Sequence, residues 1–408
     1  MELTAMIKRK DYLNWLITNR NTSLIKVISG VRRSGKSTLF EIYKNYLKEE
    51  LQVTDEQIIH LNFEDLSYYE QRDFLKLNSY ILDLTKQPQQ YYIFFDEIQH
   101  VYKFEEVVNS LNLKKNLDIY ITGSNAYFMS GELATLLTGR YTTLEILPLS
   151  FKEYQSQFVG LPLNEVYQNY RKTSFPYLVN ETDLSRRNDY IRSLYHDIVL
   201  KDIVDRYKIA EVGILERILR FLMSSIGTEI SINKIANYLI SQNVKVSNIT
   251  IEKYVDAFVG ALILYKVPRY DVKGKHLMQR LEKYYVVDLG FRWFLLPNAR
   301  EDAGHILENL VYLELRRRYP TVYVGRSAQY EVDFVCLDHN ANPTYYQVAL
   351  QTIDENVLDR ELRSLEAIKD NRPKYLLTLD THEKEADYDG IKKLNAYDWL
   401  MIESSETG

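Results

Sequence analysis

One short stretch, Gly30-Val31-Arg32-Arg33-Ser34-Gly35-Lys36-Ser37-Thr38, carries two glycines, a lysine and two hydroxyls in the spacing G-x-x-x-x-G-K-[ST]. Glycines at those points let successive backbone N–H groups curl around one anion, because no side chain blocks the turn. A lysine beside such a turn neutralises the β- and γ-phosphates of a nucleotide, and the hydroxyl that follows it holds magnesium. The β-branched apolar run Leu24 to Ser29 comes just before, and a helical pattern follows through about Leu47. The positive end of that helix dipole then points at the same anion. Residues 30 to 38 are therefore the expected binding segment for ATP with magnesium, with Lys36 on phosphate and Ser37 on the metal.

A second stretch supplies the acids that hydrolysis needs. Tyr91-Tyr-Ile-Phe-Phe-Asp96-Glu97 is an apolar strand ending in two carboxylates. The first is expected to hold magnesium with Ser37, and the second to polarise the attacking water. A third candidate follows the next strand, in Ile121-Thr-Gly-Ser124-Asn125, where Asn125 or Ser124 can reach the γ-phosphate or its water. A helix cap is the other reading of those residues. A fourth is Arg140, in Leu136-Leu-Thr-Gly-Arg140, whose guanidinium can stabilise transferring phosphate from its own chain or a neighbouring one, or else form a structural salt bridge.

These residues need a scaffold that brings strand ends together. The first half of the chain alternates strands and helices, with strands at Leu24–Ser29, Gln57–Phe63, Tyr91–Phe95, Leu117–Thr122 and Tyr141–Leu147. That alternation predicts a mainly parallel sheet with helices on both faces. The strand between the two motifs is expected to lie between the glycine-loop strand and the Asp-Glu strand. From Pro148 the pattern turns helical, with breaks at Pro162 and Pro176. Residues 231 to 288 read as short helices followed by a hairpin, an arrangement that suggests a winged helix-turn-helix. A last part, from Asn298, reads as helix, three strands, helix, strand and short helix. The predicted division is a P-loop ATPase domain over 1–155, a helical and winged-helix region over 156–295, and an α/β domain over 296–408.

Composition narrows the classes further. With 408 residues the chain is long for one core, and with a net charge of −5 it is not globally basic. Any nucleic-acid contact must be a local patch. The hairpin offers one, with Lys266, Arg269, Lys273, Lys275, Arg280 and Lys283 against Asp271 and Glu282. Such a hairpin lies along a double-stranded DNA backbone or serves as a solvated or protein-facing surface. The single cysteine, Cys336, excludes an internal disulfide framework and fits a reducing cytoplasm. No apolar run reaches the ~18 residues of a membrane span, and the first residues lack the apolar core of a signal peptide.

The run GVRRSGKST, then FFDEIQ, TGSNA and LLTGRYTTLEILPLSFKEY, resembles a large prokaryotic family of AAA-type ATPases, with further likeness at Phe175-Pro176, Asp288-Leu-Gly290 and Glu331-Val-Asp333-Phe. The resemblance implies ATP binding, a winged-helix middle and a nuclease-like end. The end itself resembles the PD-(D/E)xK nuclease fold through Glu308 on its first helix, Asp333 on a strand and Gln347 on the next. In that fold an Asp and a Glu or Gln bind metal, and a lysine two residues on activates water. Ala349 stands where that lysine belongs, and Arg360 or Arg363 is the nearest replacement in sequence. The expectation is a domain that keeps the fold without cleavage. The function expected of the whole is ATP hydrolysis coupled to DNA or to a protein partner through nucleotide-dependent domain movement. A nucleotide-controlled signalling or scaffold ATPase is the alternative, and an ATP-dependent nuclease is weakened by Ala349.

Overall fold

The computed structural model describes residues 7–124, 136–137, 139–297, 302–327 and 330–402. The chain forms two compact units, Met1–Pro148 with Gly260–Leu262, and Leu149–Val259 with Ile263–Gly408.

The first unit is a five-stranded parallel sheet of β1 (Ile25–Ser29), β2 (Ile58–Asn62), β3 (Tyr91–Asp96), β4 (Leu117–Gly123) and β5 (Tyr141–Glu145), in the order β2-β3-β4-β1-β5. Both faces are apolar, as a helix-covered parallel sheet requires. Alternate residues take opposite faces. Val27, Leu61, Phe95 and Ile121 pack with Leu77, Ile81 and Val108 of two helices. Ile28, Phe94 and Tyr120 pack on the other side with Leu39, Phe40 and Tyr43 of the helix Lys36–Leu51. An extra strand does separate β1 from β3, but it is β4. The strand between the two motifs, β2, lies at the sheet edge. Sequence order gives no hint of this, because each parallel pair is joined by a crossover and several neighbour orders are open.

The second unit opens with helices Phe151–Gln155, Leu163–Tyr170 and Leu184–His196. The last runs on through a π-helical stretch, Asp197–Asp205, and Val212–Ser224 follows. Then come β6 (Glu229–Ile230), helices Ile232–Ser241 and Asn248–Gly260, and the hairpin β7 (Leu264–Asp271) and β8 (His276–Val286). The helix Ala303–Arg318 precedes β9 (Thr321–Ser327), β10 (Tyr330–Leu337), β11 (Pro343–Val348), β12 (Lys374–Thr378), β13 (Ala386–Tyr388) and β14 (Ile391–Asn395).

All nine of these strands form one sheet, β13-β14-β12-β11-β10-β9-β7-β8-β6. The boundary expected near 295 is corrected by this: β7 pairs with β9 in parallel, Arg269 opposite Val324, so the hairpin and the C-terminal strands share one ladder. A hairpin strand with unpaired N–H and C=O groups is a template for another strand, and here that strand is β9. Among the described residues no helix is long and apolar enough to cross a membrane.

Candidate functional site

The glycine loop sits at the C-terminal end of β1, where the sheet order puts β4 and β5 on either side. Gly30 is required there, because a Cβ would lie 2.3 Å from the Ile146 carbonyl oxygen. Arg33 and Gly35 both take left-handed backbone, which turns the chain into the helix that begins at Lys36. Ser37 and Thr38 are exposed at the start of that helix. Lys36 is buried and donates to the carbonyls of Gly30 (2.9 Å) and Val31 (3.3 Å). Its Nζ also lies 3.7 Å from Glu97 Oε1. Burial holds this ammonium below the usual lysine range, against the pull of Glu97 and Asp96.

Both acids stand at the end of β3, as their place after the apolar run predicts. Thr122 of β4 joins them: its hydroxyl donates to Asp96 Oδ1 and accepts from the Glu97 backbone N–H at 3.0 Å. The second Asp96 oxygen, Oδ2, is buried with no hydrogen-bond partner in the described structure. A buried carboxylate oxygen in that state is desolvated without compensation, and a hard cation is one group that would satisfy it. Ser37 and Asp96 thus fit magnesium in donor chemistry: a hydroxyl at the helix start and a carboxylate lone pair left open.

Glu97 is in left-handed backbone at φ 52°, an uncommon conformation for a non-glycine residue. Ser124 Oγ donates to Glu97 Oε1 at 2.6 Å and the Gln99 amide donates to Oε2. Burial alone would raise the Glu97 carboxyl, but Lys36, Ser124 and Gln99 outweigh it and hold the group below the usual carboxylate range. Gln99 is a site residue that the sequence reading missed; its position two residues after Glu97 was the available signal. Ser124, one of the two candidates after β4, is in the site, whereas Asn125 lies outside the described residues.

Arg140 is corrected by the topology. Its exposed side chain stands just before β5, and β5 runs parallel to β1 with Tyr141 opposite Ile25 and Glu145 opposite Ser29. Arg140 therefore marks the sheet end away from the glycine loop, about 13 Å of strand below it. It does not face the glycine loop of its own chain.

The hairpin is corrected too. Arg269 is buried, 3.0 Å from Glu229, and Lys266 pairs with Glu282 at 3.1 Å. Lys273 and Lys275 are exposed at the turn, where Asp271 accepts from the Lys273 and Gly274 N–H groups. Of the expected basic patch, Arg269 and Lys283 have turned inward and Lys266 is half-buried, while the Arg280 side chain lies outside the described residues.

The C-terminal acids do come together. Asp333 Oδ2 accepts the Val348 N–H at 2.9 Å, the Asp333 N–H donates to Gln347 Oε1 at 3.2 Å, and Gln347 Nε2 donates to Glu361 at 2.8 Å. Glu308 accepts from Lys283 at 2.8 Å and from the Tyr285 hydroxyl. Ala349 is buried in an apolar cluster with Leu362 and Leu365. Neither arginine replaces the absent lysine: Arg360 pairs with Glu361 and Arg363 lies 3.9 Å from Asp359, and both side chains are exposed. The lysine among the acids is Lys283, from β8. The stretches around Phe175 and Asp288 meet as a structural joint, in which buried Asp288 accepts from Ser174 N–H (2.6 Å), Ser174 Oγ (2.7 Å) and Gly290 N–H (2.8 Å).

Residues 22–155 match the family model of an AAA domain, and residues 165–302 match that of a domain of unknown function. Together with the parallel sheet and the glycine loop at the end of β1, the first match defines a P-loop nucleotide-binding protein of the AAA type. A protein of Haemophilus influenzae is 38% identical over 407 residues, covering 97% of this chain and 99% of its own length. One of Methanocaldococcus jannaschii is 32% identical over 390 residues, covering 90% of this chain and 82% of its own. The chain belongs to the family of AAA-type proteins that it forms with these two, and the family relation spans both units. Among solved structures, AMPPCP-bound DnaA from Aquifex aeolicus is 14% identical over 61% of this chain and 86% of that one, with a TM-score of 0.32, too loose a likeness to carry an argument.

Proposed function

We propose that this protein binds ATP with magnesium and hydrolyses it to ADP and phosphate. The carrying observation is the convergence of buried Lys36, Asp96 and Glu97 at the ends of β1 and β3, with one Asp96 oxygen left without a partner. In this reading the backbone N–H groups of residues 30 to 38 and the Lys36 ammonium bind the phosphates, while Ser37 and Asp96 hold magnesium. The metal supplies charge neutralisation across the phosphates. Glu97 orients a water and accepts its proton as the water oxygen bonds to the γ-phosphorus and the bond to the β-phosphate oxygen breaks. Arg140, at the far sheet end of its own chain, is left to act on a neighbouring copy, which makes an oligomer the natural form for such a role.

Turnover is coupled to a partner of the second unit. The burial of Arg269 and Lys283 and the pairing of Lys266 with Glu282 favour a protein partner over DNA, with Lys273 and Lys275 exposed at the turn. The test is ATP hydrolysis by the full chain, with and without double-stranded DNA, beside Glu97→Gln. Turnover that survives Glu97→Gln overturns the site assignment. Turnover that rises with DNA, and loses that rise in Lys273→Glu/Lys275→Glu, overturns the preference for a protein partner.

A further inference from the structure

Against the glycine loop lies a buried guanidinium that the nucleotide site, as described above, does not use. Arg9 is 3% exposed and stands in left-handed backbone at φ 43°, just before the helix Lys10–Thr18. One Nη donates to the Ser34 carbonyl at 2.7 Å. The other donates to the Leu147 carbonyl at 2.8 Å, with the Pro148 carbonyl at 3.5 Å. Ser34 is 25 residues away in sequence and Leu147 is 138. The guanidinium lies 4.6 Å from the centre of the Tyr12 ring, and the Tyr12 hydroxyl accepts the Leu147 N–H at 3.3 Å. Arg9 and Tyr12 thus tie the glycine loop to the residues that follow β5, all within the first unit.

The bond to Ser34 falls where the loop is least held by its own chain. A trans peptide is planar, so its C=O and its N–H point opposite ways. Whatever holds the Ser34 carbonyl therefore sets the direction of the Gly35 N–H. Gly35 has φ 103° and no side chain, so the chain itself restrains this peptide little. It is also the N-cap residue of the helix Lys36–Leu51, where N–H groups have no intrahelical acceptor. A planar fork suits the task, since one arm takes the loop carbonyl and the other a fixed point. That point is fixed because β5 pairs with β1 and the Ile146 N–H donates to the Ser29 carbonyl at 2.7 Å. With both arms on carbonyls, Arg9 acts on a bound anion through the loop and not by touching it.

We propose that Arg9 is a positioning residue of the nucleotide site: it holds the Ser34–Gly35 peptide so that the Gly35 N–H faces the phosphates. The inference rests on reading residues 30 to 38 as the phosphate-binding segment. The glycine makes the turn possible, and the arginine selects one of the turns that the glycine allows. A merely structural arginine would satisfy the buried carbonyls and leave nucleotide affinity alone.

The test is calorimetric binding of Mg·ADP by the full chain, with steady-state ATP turnover and thermal midpoints alongside, for the parent, Arg9→Ala, Arg9→Lys and Lys36→Ala. Arg9→Ala is expected to bind ADP about tenfold or more weakly, the scale of one lost hydrogen bond to a charged group. Its KM for ATP is expected to rise by a similar factor with kcat held within about twofold, because the lost contact is made equally in ground and transition states. Arg9→Lys keeps the charge but cannot span two carbonyls, so it is expected to bind ADP about threefold or more weakly. It takes the place of Arg9→Ala if that variant does not fold. A lowered midpoint with the parent's ADP affinity is the structural outcome and overturns the proposal alone, as does a loss confined to kcat. A parent that binds no Mg·ADP, or a Lys36→Ala that binds it as tightly as the parent, overturns the nucleotide reading and the role of Arg9 with it.

Discussion

The two units each bury a lysine among carboxylates, and the two lysines are in opposite electrostatic situations. Lys36 rests on two backbone carbonyls and stands 3.7 Å from one acid, while an oxygen of the neighbouring acid has no partner. Burial wins there, and the ammonium is held below the usual lysine range. Lys283 has three carboxylates within 3.4 Å. Burial opposes its charge too, but Glu308, Asp333 and Glu331 overcome it and push the group well above the usual range. A binding site leaves a buried charge under-compensated, because the ligand is to complete it. A structural centre compensates the charge within the chain. The first unit has the former pattern and the second the latter.

The comparison is broken most directly by exchanging loss of function for loss of fold. Lys36→Ala is expected to cut ATP turnover at least about a hundredfold, as loss of a charge-stabilising donor does, while leaving the thermal midpoint unchanged or slightly higher. Glu97→Gln is expected to lose turnover on a similar scale through the missing base, with nucleotide binding retained. A large drop in the midpoint of Lys36→Ala would mean that this lysine, too, is structural.

Lys283→Ala is expected to do the reverse. Removing one partner of a buried ion pair leaves uncompensated charge, at a cost of roughly 3–5 kcal/mol. Chemical denaturation should show that loss, and Lys283→Met should recover only the packing part of it, because it restores apolar volume without charge. A loss below about 1 kcal/mol would place Lys283 with ordinary surface pairs.

The same contrast explains what was legible in the sequence. The proposed phosphate site is built by local chain: Gly30 to Thr38 are contiguous, Asp96 and Glu97 are adjacent, and Gln99 is two residues on. Only the strand order that brings these stretches side by side lies beyond local pattern, which is why β2 was placed between β1 and β3 instead of at the edge. The charge centre is built by distant chain. Lys283 meets Glu308 across 25 residues and Asp333 across 50. In the sequence it is one more basic residue of a hairpin, and alternation along a strand does not say which face is covered. Ala349, Arg360 and Arg363 are the positions close in sequence to the acids, while the lysine that meets them comes from β8. Burial of Arg269 is hidden from the sequence for the same reason, since it depends on β7 having β9 as a second neighbour.

A smaller effect sharpens the comparison through pH. Burial, with Glu308 nearby, pushes the Asp333 carboxyl from its ordinary 3.8 up to about 7, although Lys283 opposes the shift. A carboxyl raised on folding stabilises the fold below its unfolded value, and that stability is lost as pH rises through the folded one. The second unit should therefore lose stability between about pH 4 and pH 7 from this group. Asp333→Asn should flatten that slope in denaturation midpoints taken across the range. Glu97 predicts the opposite sign for the first unit: its carboxyl is lowered, so its contribution is present above the ordinary glutamate range and lost as pH falls through the folded value. A slope unchanged by Asp333→Asn removes this contrast.

The smallest expected effect belongs to lysines of neither kind. Lys273 and Lys275 are exposed at the β7–β8 turn, and reversing both to glutamate should move stability by no more than about 0.5 kcal/mol. Their use is as a gauge of what the hairpin touches. If a phosphate backbone lies along the turn, each lysine contributes about one unit to the slope of log binding constant against log salt. The double variant should then lose about two units of that slope, by fluorescence anisotropy on a duplex at several salt concentrations. If the hairpin faces a protein, the duplex binds weakly and the slope is the same in parent and variant. We expect this second outcome, because the cations that would extend a phosphate track, Arg269 and Lys266, are already committed to Glu229 and Glu282. Two charges at a turn can rest on one phosphate or two, but a register along DNA needs a row, and Arg269 and Lys283 of that row are buried in the sheet.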